Sequence, residues 1–338
     1  MKNSKKKLIG NFLLLAIILA IIYYLLRYSF ADILAELATT SPLVLIIVIL
    51  FGTLYQLAEG KSIQEIAKIF QPKFTTMNGF WTTCIVAFYR VVTFGAATIL
   101  SEIYFYKKKG LKMSQGTGVT ALHMIMYKAA VVTYAIIGLI IQFSLLYTQQ
   151  KGMIIFVLVG VVLSILIMIV LLGVSSSVRL HVFLIRVSNR LFKSEKLRGL
   201  VDSLNLQIYS LRETIQAVMM DKTAMLRIYF WNMVKLVFWY VLPYLILMNE
   251  HHHLDFLQAF AFTSFAVVMA GVIPTPAGIG SFDFVYLLFF RPLVGTVDAV
   301  SSLLLYRFSS YLLPFIYGFF YTLVDKRKTI KEEIKESK

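Results

Sequence analysis

Six apolar stretches, each long enough to cross a bilayer, recur along this chain: Leu8–Tyr28, Pro42–Ala58, Val119–Tyr147, Met153–Val174, Ile228–Met248 and Ser301–Val324. A spanning helix needs about 17–25 predominantly apolar residues, whereas barrel strands would alternate over about 10. The runs do not alternate, so the fold class is an all-α polytopic integral membrane protein. Composition agrees: 59% of the 338 residues are hydrophobic and only 15% are charged, with a mean hydropathy of +0.78.

The net charge of +16 reads first as topology. Lys61, Lys68 and Lys73, the cluster Lys107, Lys108, Lys109 and Lys112, the loop from Ser175 to Arg227 and the tail Lys326, Arg327 and Lys328 all flank membrane segments. The positive-inside bias puts them in the cytoplasm, with both termini, where they also meet anionic lipid heads. They form no single soluble basic face, so nucleic acid is not an expected partner. Cys84 is the only cysteine, which leaves no disulfide framework and no thiolate metal site. Lys2, Lys5, Lys6 and Lys7 precede Leu8–Leu26 as in a signal peptide. That run is longer than a typical signal core and no small-residue cleavage site follows, so a retained first helix is expected.

Two segments do not fit simple crossings. If Trp81–Tyr106 spanned the membrane, the lysines after it would lie outside. A re-entrant hairpin with Gly95, Ala96 and Ala97 near its tip removes the conflict. The second is Gly271–Asp283, G-V-I-P-T-P-A-G-I-G-S-F-D, whose prolines and glycines would break any helix. Broken backbone at membrane depth survives only where protein or a wet cavity satisfies it, and in transporters it marks the substrate path. The expected architecture is therefore six spans plus two re-entrant helical hairpins in one domain, 1–338. Its halves, 1–150 and 151–338, each read span, span, hairpin, span. Because they start on opposite sides, they form an inverted-topology repeat. In the basic loop 175–227, Leu197, Leu200, Leu204, Ile208, Leu211, Ile215 and Val218 recur at helical steps; the helix either packs under the bundle or lies on anionic lipid.

Candidate site residues follow from the break and from charges inside membrane segments. Pro274, Thr275, Pro276, Gly278, Gly280 and Ser281 would line a headgroup path, with a helix starting near Ser281 offering amides to a phosphate. Arg90, Glu102, Lys128, Asp283 and Arg307 each cost about 2.5–3.5 kcal/mol at a helix centre and so should face inward and pair. Arg307 is expected to pair with Asp283, and Arg90 with Glu102. Either these are fixed structural pairs, or a lipid phosphate exchanges onto the arginines, whose planar fork suits it. Lys128 is placed nearer an interface. His251, His252 and His253 are consecutive, do not share a helix face, and are read as an exposed loop rather than metal ligands. His123 and Tyr127 share a helix face. No catalytic motif, cofactor site or metal site is expected.

The element P-T-P-A-G-I-G-S-F-D resembles the flippase-like membrane domain of the lysylphosphatidylglycerol synthase family, with Ala277 in place of a glycine and Asp283 where Glu is usual. Y-R-F-S-S-Y-L-L-P-F-I-Y-G resembles that family's second signature, with Arg307, Tyr311, Pro314 and Gly318 on its positions. Glu59–Gly60 and Tyr104–Leu111 also look familial, whereas Phe94, Ala96 and Ala97 depart from the pattern of the first hairpin. The resemblance implies a flippase-like transporter of a bacterial cytoplasmic membrane acting on a phospholipid, for example lysyl-phosphatidylglycerol. In two-part relatives, the multiple peptide resistance factors, a soluble aminoacyl transferase follows. This chain reaches Lys338 soon after its last span, so the transferase chemistry is not expected in it. The alternatives are a carrier of another envelope lipid or polyprenyl-linked intermediate, and a membrane subunit docking a separate cytoplasmic aminoacyl transferase through the 175–227 loop. Self-association into a homo-oligomer is left open.

Overall fold

The computed structural model describes residues 31–336 except 94, 96, 150, 177–208, 211, 219–220 and 273–279. The first expected span, most of the basic loop, and Pro274, Thr275, Pro276 and Gly278 therefore lie outside the described residues. Twelve helices are described: α1 Ala31–Thr39, α2 Pro42–Ala67, α3 Thr76–Val92, α4 Thr98–Lys108, α5 Met113–Ile141, α6 Phe143–Gln149, α7 Lys151–Ser176, α8 Lys222–Leu247, α9 Phe256–Ala270, α10 Ser281–Val294, α11 Thr296–Arg307 and α12 Leu313–Glu336. A π-helical turn, Phe308–Leu312, joins the last two. Among the described residues, five stretches are long and apolar enough to span: Pro42–Ala67, Met113–Ile141, Gly152–Val170, Lys222–Leu247 and the continuous Thr296–Asp325. They coincide with five of the six expected crossings.

Helix α2 corrects one boundary. The sequence reading ends the second span at Ala58, before the polar segment with Lys61, Lys68 and Lys73, yet the helix continues to Ala67. Of these, Lys61 and Lys68 are satisfied locally. Lys61 reaches Glu65 at 3.0 Å one turn on, and Lys68 pairs with the same carboxylate. Ile63, Ile66 and Ala67 are buried and carry the apolar face onward.

Helices α2 and α8 form the central seam and run antiparallel, as successive cross-links show. Arg227 Nε donates to Glu65 at 3.0 Å, Asn232 Nδ2 to Ser62 at 2.6 Å, Lys235 pairs with Glu59, and Trp239 stacks on Tyr55 at 3.7 Å. Numbers rise along α8 as they fall along α2.

Around the seam the two halves pack alike. Arms α3 and α4 pack on each other, and so do α9 and α10. Arm α3 lies against α12, where Phe88 meets Phe315 at 5.7 Å and Trp81 meets Tyr321 at 4.9 Å. Arm α9 lies against α5, where Tyr134 meets Phe260 at 5.4 Å. Exchanging α2 with α8, α3 with α9, α4 with α10 and α5 with the α11–α12 run maps one set of helix contacts onto the other. With α2 and α8 antiparallel, that is the packing of an inverted repeat.

The hairpin arms hold 17, 11, 15 and 14 residues; three are shorter than a crossing of about 17–25 residues requires, and α3 only reaches its lower limit. The first hairpin starts and ends at one face of the bundle. Thr76 Oγ1 donates to Gln64 at 2.8 Å near the end of α2, and Lys108 Nζ reaches Asp325 at 2.5 Å near the tail. The second starts and ends at the other face, where His253 lies 3.3 Å from the Leu293 carbonyl, next to the end of α8. Each tip bears a glycine in the left-handed region, Gly95 at φ 88° and Gly280 at φ 94°, which a side chain would strain. At the first tip Thr93 Oγ1 accepts from Ala97 N at 3.0 Å, tying off the turn. Close helix approach rests on small residues: a Cβ on Gly60 would lie 2.8 Å from Phe80 Cα across the α2–α3 contact.

The amphipathic stretch is described over 209–218 apart from 211. There Ser210, Thr214, Ile215 and Val218 are buried, with Ile215 and Val218 packed among residues of α2 and α5. Of its two readings, packing under the bundle holds for these residues.

Candidate functional site

Proline 314 has no N–H, and its ring would clash with the carbonyl four residues back, that of Ser310. The chain answers with the π turn, in which Leu313 N bonds Phe308 O. Such turns sit frequently at functional sites. This one carries Tyr311 and faces both hairpin tips. Arg90, in the last turn of α3, lies over the Tyr311 ring at 5.3 Å. Arg307, immediately before the turn, donates from Nε to Asp283 Oδ1 at 2.6 Å. Tyr311 is within electrostatic reach of both arginines.

The expected Arg307–Asp283 pair is thus formed. Helix α10 begins at Ser281, and Asp283 Oδ2 accepts from Gly280 N at 2.8 Å. The aspartate therefore uses one amide of the helix N-terminus that the sequence reading offers to a phosphate. Lys128 does not simply reach an interface: its Nζ donates to the Gly271 carbonyl at 3.0 Å, where a cation complements the C-terminal end of α9.

The expected Arg90–Glu102 pair is not formed. Glu102 accepts a hydrogen bond from Tyr106 O–H at 2.8 Å, one helical turn along α4. Arg90 makes no salt bridge among the described residues, and its buried Nε has no hydrogen-bond partner. Both residues instead line one cavity of about 130 Å³, with Tyr55, Glu59, His123 and Trp239. It lies between α2, α3, α4, α5 and α8, and Ser310 of the π turn also lines it. The Trp239 Nε1 is also buried without a partner. Buried donors without acceptors are rare and demand an explanation.

A three-way charge cluster at the cavity wall escaped the sequence reading. Lys235, fully buried, pairs with Glu59 and lies 3.2 Å from His123 Nε2, which is 3.6 Å from Glu59 Oε1. Its Nζ also sits over the Tyr127 ring at 4.6 Å. Lys235 on α8 thereby joins α2 and α5 of the other half. The available signal was an isolated lysine inside an apolar run. An aromatic file continues from the seam to the second hairpin: Trp239 to Tyr306 at 6.0 Å, then Tyr306 stacked on Phe282 at 4.9 Å.

The histidine connector is less free than expected. His251 Nε2 lies 2.8 Å from Asp298 Oδ2, and His253 holds the Leu293 carbonyl noted above.

Fold and site together define an all-α polytopic membrane protein with two broken-helix hairpins and a charged interior. The model of one family, described as the lysylphosphatidylglycerol synthase TM region, matches residues 11–318. The chain belongs to that family, as its C-terminal signatures lead one to expect. None of the curated proteins compared with it matches.

Proposed function

We propose that this protein carries a phospholipid between the leaflets of a bacterial cytoplasmic membrane, binding the headgroup phosphate at the Arg90 cavity. The observation that supports this reading is that Arg90 and Trp239, which line the same cavity, each keep a buried N–H donor, Nε and Nε1, without an acceptor. A phosphate oxygen accepts from both types of donor, and a guanidinium meets phosphate with short charge-assisted bonds. A cavity of about 130 Å³ admits a phosphate and a few waters, at roughly 30 Å³ per water, with the acyl chains left among the helices. Arg307 at the end of α11 and Tyr311 in the π turn adjoin the same place, and Glu102 and Glu59 offer acceptors to a cationic headgroup. Phosphatidylglycerol and its lysyl ester are the substrates to try first.

The test is translocation of fluorescent phosphatidylglycerol in vesicles reconstituted with the protein. The wild type accelerates movement between leaflets, and an Arg90→Ala, Arg307→Ala double variant does not. Equal rates in both would remove the site assignment, and no movement with any phospholipid would remove the transport reading.

A further inference from the structure

The cavity holds two carboxylates in different circumstances. Glu59 is clamped by Lys235 and faced by His123. Glu102 has no ion pair among the described residues; its carboxylate accepts from the Tyr106 hydroxyl at 2.8 Å and lies beside the Thr120 side chain of α5. Three cationic or titratable groups look toward it without bonding it. They are Arg90 on α3 across the cavity, His123 on α5, and Lys235 on α8, each cavity-lining or within electrostatic reach. Glu59 on α2 faces it as a like charge. These groups, with Tyr106 on its own helix, make up the charged and titratable surroundings of Glu102.

The charge count decides what an anion does here. Arg90 and Lys235 carry two positive charges and Glu59 and Glu102 two negative ones, so these four groups sum to zero. A phosphate on Arg90 adds a negative charge to a low-dielectric space, where like charges a few ångströms apart repel strongly. Protonating Glu102, the carboxylate that no cation clamps, sheds that excess. Tyr106 can turn its hydroxyl to accept as readily as it donates, so a protonated Glu102 keeps a partner.

We infer that Glu102 is a proton-binding carboxyl whose protonation is linked to occupancy of the Arg90 site, so that lipid moves together with a proton; this rests on the transport reading above. A proton from water bonds to one carboxylate oxygen when the anion enters and returns to water when it leaves, and nothing is oxidised or reduced. By linkage, protonation strengthens anion binding by the same factor as the anion favours protonation.

The experiment imposes a pH difference across vesicles containing the protein and fluorescent phosphatidylglycerol. Wild-type translocation changes with the gradient, and anion affinity changes about fivefold or more between the protonated and deprotonated states. Any movement left in Glu102→Gln is the same with and without the gradient. A second measurement needs no variant: adding short-chain phosphatidylglycerol to the wild type in weakly buffered detergent draws protons from solution, read with a pH dye. Wild-type translocation that ignores the gradient overturns the coupling and leaves the transport reading standing. Gradient dependence that survives in Glu102→Gln puts the proton elsewhere and overturns the assignment. Lipid binding without proton uptake overturns the linkage. A wild type that moves no lipid takes both readings down.

Discussion

The two hairpins are built alike and charged differently. Each has two short apolar arms, a left-handed glycine at its tip and a seat against the other half's long helix. At the second tip Asp283 clamps Arg307 and caps its own helix. At the first tip Arg90 rests on the Tyr311 ring with Nε unbonded, while the nearest carboxylate of its hairpin is bonded to Tyr106. A matched ion pair is nearly neutral to its surroundings, whereas a buried cation without a partner is costly. The repeat thus supplies a symmetric scaffold, and its chemistry lies on one side. At the second tip Asp283 holds Arg307 and the Gly280 amide; at the first, the anion site proposed above would supply the partner that Arg90 lacks.

Substitutions should separate structure from site. The largest effect falls on the seam. Lys235→Ala strands Glu59 among buried groups and should cost about 3–5 kcal/mol, seen as loss of the folded, monodisperse protein in detergent. A Glu59→Gln, Lys235→Met double variant should recover most of it. Next comes Asp283→Ala, which removes a charged hydrogen bond worth about 1.5–3 kcal/mol and lowers the thermal midpoint. Arg90→Ala, by contrast, loses the ring contact but also removes a buried cation without a partner, so its net cost should be smaller. Equal destabilisation by these two would erase the contrast between the tips. Gly60→Ala pushes α3 away from α2 and should cost about 1–3 kcal/mol, checked by the same melting curves. The smallest change is Lys128→Met, which removes the cation at the end of α9, about 0.3–1 kcal/mol.

How much of this was legible in the sequence depended on whether a charge stood alone. Asp283 and Arg307 were conspicuous in apolar runs and found each other, because each needed the other to be buried. Arg90 and Glu102 were as conspicuous, but proximity in one hairpin did not decide their pairing: Tyr106, one turn along the same helix, took the carboxylate. Glu59 was hidden because local ion pairs carry α2 past the point where hydropathy ends it, and Lys235 then lost its visible partner. The π turn follows from Pro314, yet only the folded backbone shows that its opening faces Arg90. The opposed entry of the hairpins was readable from the lysines at 107–109, and Lys108 meeting Asp325 beside the basic tail bears out that these two ends share a face.

Binding of short-chain phosphatidylglycerol to the purified protein tests the central claim most directly, with wild type, Arg90→Ala and Asp283→Ala compared at matched folding. The account predicts that Arg90→Ala weakens binding about tenfold or more, the loss of one charge-assisted contact of about 1.5–3 kcal/mol, and that Asp283→Ala does not weaken it. Unchanged affinity in Arg90→Ala, or a larger loss in Asp283→Ala, would contradict it.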